Sequence, residues 1–129
     1  MNTAPLAEAR LTVLVAEDEE MLRRVVGATL RYGGFDVIEA EDGSAGLEIV
    51  RSGRAIDVLL SDVKMPGLNG YQLAEACLSL KPEMPVMLMT GFADEAIPEA
   101  IRRASIPIIR KPFDFGKLAD SVREFVRSR

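Results

Sequence analysis

The chain has 129 residues, of which 48% are hydrophobic, and a formal net charge of −4. This length suits one domain with one hydrophobic core, and mixed charges without a basic run exclude the usual footprint of a nucleic-acid-binding protein. The single cysteine and the absence of histidine exclude an internal disulfide, a Cys/His metal site and a Ser–His triad.

Residues 1–10 are expected to form a flexible N-terminal tail, ahead of one domain over residues 11–129. This segment lacks the basic start and the apolar block of a signal peptide. No apolar run in the chain approaches the roughly 18 residues that are needed to span a bilayer. We therefore expect a cytoplasmic protein that has no membrane partner.

Strand and helix patterns alternate along the predicted domain. The strand patterns are rich in branched apolar residues, and several are nearly continuous apolar runs, as in strands that are buried on both faces of a parallel sheet. We predict strands at 11–16, 35–40, 56–61, 85–90 and 106–110, and helices at 20–32, 44–52, 70–80, 97–104 and 114–127. This order predicts a doubly wound three-layer α/β fold, in which ligands bind beyond the carboxyl ends of the strands.

Polar side chains follow most of the predicted strands. These are Glu17, Asp18 and Glu19 after the first strand, Asp62 after the third, Thr90 and Gly91 after the fourth, and Lys111 and Pro112 after the fifth. Two like charges ~4 Å apart repel by about 4 kcal/mol at an effective dielectric constant of 20, so we expect a cation among the carboxylates. Oxygen ligands without nitrogen or sulfur favour a hard ion, which predicts Mg²⁺, or Mn²⁺ in its place.

A divalent ion at this edge of the sheet would allow it to receive a phosphoryl group. An ionised Asp62 could attack phosphorus and form an aspartyl phosphate, while Thr90 and Lys111 could bind phosphoryl oxygens. Each residue alone has an ordinary structural explanation, as a turn former, a helix cap or an acid in the first turn of a helix. Their joint placement at the ends of several strands favours the chemical explanation.

The motifs VLVAEDEE, LLSDVKMPGLNG, MTG and RKPF, in this order and spacing, resemble the receiver domain of two-component response regulators over residues 11–127. The resemblance implies a flavodoxin-like (βα)5 fold with strand order 2-1-3-4-5. It also implies that a histidine kinase or a histidine phosphotransfer protein passes a phosphoryl group to Asp62. The domain would then catalyse only its own phosphorylation and dephosphorylation.

The resemblance also assigns roles to the residues around the acceptor. It implies that Asp18, Asp62 and the backbone carbonyl of Lys64 bind Mg²⁺ directly, and that Glu17 helps through water. Thr90 and Lys111 are the implied phosphoryl ligands, and a further implication is that the peptide bond between Lys111 and Pro112 is cis.

The sequence departs from the best-known receivers at the switch position. Ile108 stands where these receivers usually have Tyr or Phe, so the familiar rotation of an aromatic ring behind the switch threonine cannot operate. Pro98 predicts a long loop over residues 91–96 and a short helix that starts near Ile97. We hypothesise that this loop senses the phosphoryl group instead, and Phe92 either covers the site or is a partly buried loop residue.

The sequence leaves several functional alternatives to weigh. The main hypothesis is a switch that changes its protein–protein contacts on phosphorylation, and its motifs resemble receivers that stand alone or work with hybrid kinases. The alternative is a constitutive adaptor whose partner binding ignores phosphorylation. An aspartate-dependent phosphatase is disfavoured because Lys64 stands where these enzymes have a second aspartate. A flavin-binding relative fits worse, since the acidic residues 17–19 would repel the cofactor phosphate.

Overall fold

A computed structural model describes residues 10–91 and 96–129 of the chain. The strands are β1 (Thr12–Ala16), β2 (Asp36–Ala40), β3 (Val58–Asp62), β4 (Val86–Thr90) and β5 (Ile108–Arg110), and the helices are α1 (Glu20–Tyr32), α2 (Gly43–Arg51), α3 (Gly70–Leu80), α4 (Glu99–Arg103) and α5 (Phe115–Arg127). The strands form one parallel sheet in the order β2-β1-β3-β4-β5. The predicted fold class and strand order are therefore confirmed.

Two parts of the sequence predictions fall on residues that are not described. Residues 1–9, which make up nearly all of the predicted tail, lie outside the described residues, and so do residues 92–95 of the predicted 91–96 loop. The proposals for Phe92 and for a phosphate-sensing loop therefore stay hypotheses.

The hydrophobic core has two layers, one on each face of the sheet. Alternate side chains of a strand point to opposite faces, so Leu14 of β1 packs with Leu73 and Cys77 of α3, whereas Val15 packs with Val26 of α1. Strands β3 and β4 are buried along their whole length. This burial on both faces fixes the central strands, and with them the edge at which their carboxyl ends meet.

Prolines explain the later starts of β4, β5 and α4. Because proline has no backbone N–H, β4 begins after Pro85 and β5 begins after Pro107. Pro98 is the N-cap of α4, so the short helix is confirmed but starts later than Ile97. Asp62 was expected to follow β3, and it is instead the last residue of that strand, because it pairs with Met89 of β4.

Side-chain caps fix the starts of three helices. Asp42 accepts a hydrogen bond from the Ala45 N–H, and Asp114 accepts one from the Gly116 N–H, as the sequence indicates. Asn69 and Gln72 form a capping box at the start of α3, which holds the end of the loop that follows Asp62. No helix among the described residues combines the length and the hydropathy that crossing a bilayer requires.

Gly70 offers a test of how tightly the loop after β3 packs. A Cβ at this position would lie 2.2 Å from the Asp62 carbonyl oxygen and 2.8 Å from the Val63 Cα, both of which are backbone atoms. We expect Gly70→Ala to lower the free energy of unfolding by about 1–3 kcal/mol, measured by urea denaturation. Gly91→Ala is the matched control, because no atom of the described residues lies within 4 Å of its added Cβ. Equal stability of the two variants would contradict this packing.

Candidate functional site

Carboxylates from two neighbouring strands converge at the carboxyl edge of the sheet. One oxygen from each of Glu17, Asp18 and Asp62 lies within 4.8 Å of the others. Strands β1 and β3 pair in parallel with Ala16 opposite Ser61, so the residues that follow in each strand lie side by side. The structure thus brings together three of the four carboxylates that the sequence analysis placed at this edge, and Glu19 is not part of the cluster.

Lys111 reaches this cluster from the end of β5. Its Nζ lies 2.9 Å from Asp62 Oδ1 and 3.4 Å from Glu17 Oε1. The Lys111 backbone N–H donates to the Thr90 carbonyl oxygen over 2.8 Å, and the following bond to Pro112 is cis, as the resemblance implied. One ammonium group therefore contacts two of the three carboxylates.

Burial changes the protonation chemistry of the cluster. It raises the pKa of Glu17 to about 7, with the charge of Asp62 adding to the increase and the hydrogen bond from the Glu19 N–H and the charge of Lys111 opposing it. Burial also raises the pKa of Asp62, although its hydrogen bond to Lys111 offsets part of this effect. For Lys111, burial favours a lower pKa, but the bond to Asp62 and the carboxylate charges raise it overall. The pKa of both Glu17 and Asp62 therefore stays raised although Lys111 lies beside them.

The loop after β3 holds the Asp62 backbone in place. The Ser61 hydroxyl donates to the Asp62 carbonyl oxygen over 2.8 Å. The Val63 N–H donates to Met89 over 2.9 Å, and the Gly70 N–H donates to the Val63 carbonyl oxygen over 2.8 Å. These bonds fix the main chain on both sides of Asp62, so its carboxylate projects from a rigid base.

The remaining predicted residues also lie at this end of the sheet. Thr90 is the buried last residue of β4, next to Met89, which pairs with Asp62. Lys64 follows Asp62 by two residues and is exposed, and Gly91 is exposed at the end of β4. The structure thus places every predicted site residue near one edge, while the metal-binding role of the Lys64 carbonyl and the phosphoryl-binding role of Thr90 stay predictions.

The donor set of the cluster fits a hard divalent cation. Its side-chain donors are carboxylate oxygens, with no nitrogen or sulfur ligand among them, and such sets favour Mg²⁺ or Mn²⁺. Mg²⁺ usually binds through one or two carboxylates and keeps several waters. The cluster is therefore compatible with Mg²⁺ binding and with phosphorylation of an aspartate.

One contact of the site was missed by the sequence analysis. Arg23 donates from Nη1 to the backbone carbonyl of Glu17 over 3.0 Å. Its neighbour Arg24 instead makes an exposed ion pair with Glu20 of the same helix. Helical periodicity indicates that the two side chains point in different directions, but no sequence signal identifies the partner of a long flexible side chain.

The sequence of the chain matches the response regulator receiver domain family over residues 13–123. The chain belongs to this family. Receiver domains act in two-component signal transduction, and they bind Mg²⁺ at an acidic pocket of the kind that Glu17, Asp18 and Asp62 form here.

Individual receivers resemble the chain over most of its length. The response regulator receiver protein CpdR of Brucella abortus is 27% identical over 115 residues, which are 88% of this chain and 95% of CpdR. The crystal structure of a receiver protein from Sinorhizobium medicae has a TM-score of 0.80 at 27% identity and covers 92% of this chain and 96% of its own. The crystal structure of the receiver domain of the hybrid histidine kinase CckA has a TM-score of 0.74 at 32% identity. It covers 89% of this chain and 98% of its own.

These similarities confirm the expected likeness to stand-alone and hybrid-kinase receivers. Several other curated relatives are much longer, and the chain spans about a third of the length of three of them or less. The similarity to those proteins therefore concerns their receiver portion.

The raised pKa of Glu17 predicts a pH-dependent stability of the metal-free receiver. The folded protein keeps a proton on Glu17 that the unfolded chain releases above its ordinary pKa of 4.5. The Glu17 contribution to stability is therefore complete below pH 4.5 and is lost as the pH rises to about 7. Carboxyl ¹³C NMR should give a Glu17 midpoint near 7, and Glu17→Gln should remove this part of the pH dependence. A midpoint near 4.5 would contradict the assigned environment.

Proposed function

We propose that this receiver is a phosphorylation-dependent signalling switch in which Asp62 accepts a phosphoryl group from a phosphohistidine donor. The observation that supports it best is the position of Asp62, whose carboxylate lies in the acidic cluster and 2.9 Å from the Lys111 ammonium. An anionic nucleophile beside a cation at a strand end suits attack on phosphorus. The donor is a histidine kinase or a histidine phosphotransfer protein.

The acidic cluster is the proposed Mg²⁺ site. Asp18, Asp62 and the backbone carbonyl of Lys64 would hold the ion, and Glu17 would help through water. When bound, the ion supplies positive charge that offsets the carboxylates and the incoming phosphoryl oxygens. The raised pKa of Glu17 and of Asp62 supports this assignment, because a cation bound beside the two carboxylates would favour their ionised forms.

The side chains of the receiver carry out the rest of the transfer. A carboxylate oxygen of Asp62 forms a bond to phosphorus while the bond between phosphorus and the donor imidazole nitrogen breaks, and that nitrogen keeps the electron pair. The Lys111 ammonium, which already contacts Asp62, then pairs with a phosphoryl oxygen. The Thr90 hydroxyl donates a hydrogen bond to another phosphoryl oxygen. Phosphoryl groups form charge-assisted hydrogen bonds of this kind. Attack of water on phosphorus later returns Asp62 to its free form.

Ile108 replaces the aromatic switch residue, so we propose that phosphorylation alters the receiver surface by another route. Ile108 pairs with Leu88 and packs half-buried against the core layer on the α3 side of the sheet. We propose that phosphorylation changes the surface of α4, β5 and α5, with the 91–96 loop as the sensing element. The output would be contact with another cytoplasmic protein.

Because Ile108 stands in place of the usual aromatic switch residue, we also consider a second function, that of a constitutive adaptor. Such a receiver would bind its partner equally well with or without a phosphoryl group. Partner affinity measured before and after phosphorylation separates the two functions, since a switch predicts a change and an adaptor predicts none.

Substitution of the acceptor tests the proposal directly. We expect Asp62→Asn to abolish labelling by acetyl phosphate and Mg²⁺, because the amide is not a nucleophile for phosphorus, and mass spectrometry of the intact protein measures the label. Asp120→Asn is the matched control, since the side chain of Asp120 on α5 is 85% exposed, and it should be labelled like the unmodified protein. Circular dichroism checks that both variants fold. A phosphoryl group retained on the Asp62→Asn variant would contradict the assignment.

A further inference from the structure

Arg23 joins the loop of the acidic cluster to the edge strand of the sheet. Its Nη1 donates to the Glu17 carbonyl oxygen over 3.0 Å, and its Nε lies 3.6 Å from Oε1 of Glu39 on β2. Only 15% of the Arg23 side chain is exposed. Arg23 therefore differs from an ordinary surface arginine, because one guanidinium bridges two separate elements.

The hydrogen bond from Arg23 is one of several that hold Glu17 in place. The Glu17 N–H donates to the carbonyl oxygen of Ala40, the neighbour of Glu39, over 3.1 Å. The Glu17 carboxylate in turn accepts from the Glu19 N–H over 3.1 Å. Both polar groups of the Glu17 backbone are thus tied, one to β2 and one to α1. The direction in which the Glu17 and Asp18 side chains leave the main chain depends on these ties.

The surface of α1 is shaped to receive Glu39. Gly27 comes one turn after Arg23, and a Cβ there would lie 2.7 Å from Glu39 Oε2. Arg31 comes one further turn along and places Nη1 3.1 Å from the same oxygen. Residues four apart share a helix face, so Arg23, Gly27 and Arg31 form one stripe against Glu39. The carboxylate is therefore held at both oxygens, which gives Arg23 a fixed anchor.

We propose that Arg23, anchored by Glu39, is a positioning residue of the metal site. It holds the Glu17 carbonyl and thereby sets the arrangement of the Glu17 and Asp18 carboxylates that binds the divalent ion. This inference rests on the proposed function of the cluster as a Mg²⁺ site. Arg23 acts through the main chain and is not itself a ligand.

Two simpler roles for Arg23 predict different results. A role as a plain positive charge predicts that removing Arg23 tightens Mg²⁺ binding, because a cation near a divalent site opposes the ion. A purely structural role predicts a loss of stability without a change in Mg²⁺ affinity. Positioning predicts weaker binding despite the removal of a repelling charge, so the sign of the effect separates the explanations.

The experiment compares Arg23→Met with Arg24→Met. Both variants remove one guanidinium of α1 and change the net charge equally, but Arg24 pairs with the exposed Glu20, whereas Arg23 contacts Glu17 and Glu39. Titration with MgCl2, followed by backbone amide NMR, measures the dissociation constant. We expect Arg23→Met to weaken Mg²⁺ binding by about fivefold to tenfold, the size of the net contribution of one typical hydrogen bond. Arg24→Met should stay within about twofold of the unmodified protein, because it removes only an exposed ion pair.

Gly27→Ala tests the same inference without changing any charge. The added methyl group must displace the Glu39 carboxylate, although alanine favours the helix itself. We expect weaker Mg²⁺ binding and faster amide exchange at residues 17–19 in the metal-free protein. This variant also serves if Arg23→Met fails to fold.

The outcomes separate this inference from the proposed function. Unchanged or tighter Mg²⁺ binding by Arg23→Met, with normal binding by the unmodified protein, would overturn the positioning role alone. For Gly27→Ala, unchanged affinity would do the same. If the unmodified protein does not bind Mg²⁺, both the proposed function and this inference fail.

Discussion

The repulsion among Glu17, Asp18 and Asp62 is the constraint on which the site depends. One oxygen of each carboxylate lies within 4.8 Å of the others, and separating them would lower the electrostatic energy. Parallel pairing of β1 and β3 prevents this separation, because both strands are fixed within the core. Lys111 offsets part of the charge, but burial has the larger effect and raises the pKa of Glu17 and Asp62. The fold therefore maintains an affinity for added positive charge at one edge of the sheet.

The backbone around the cluster is fixed by contacts that contribute no ligand themselves. Ser61 and Gly70 hold the main chain beside Asp62, and Arg23 holds it beside Glu17. A site of this kind is preorganised, so little conformational entropy is lost when an ion or a phosphoryl group binds. Edge strand β2 takes part in this network through Glu39.

The fold and the acidic cluster could be predicted from sequence because each depends on local or periodic signals. Helices α1 and α3 begin and end where periodicity and flanking residues place them, and the carboxyl ends of parallel strands necessarily meet at one edge. The predicted starts of β4 and β5 were too early, since Pro85 and Pro107 lack the N–H that strand pairing uses. The Arg23 contact was not predictable, because Arg23 and Arg24 are adjacent and alike in sequence. Only the packed structure shows that one reaches Glu17 and the other Glu20.

The central claim is that Glu17 and Asp18, which follow β1, share one divalent ion with Asp62 at the end of β3, and that Asp62 also forms the bond to phosphorus. A crystal structure with Mg²⁺ and beryllium trifluoride, a mimic of the phosphoryl group, tests it most directly. The account predicts electron density for the ion among Glu17, Asp18 and Asp62. It also predicts a beryllium atom bonded to an Asp62 oxygen, with the Lys111 ammonium in contact with the fluorine atoms. An occupied metal site elsewhere, or beryllium trifluoride absent from Asp62, would contradict it.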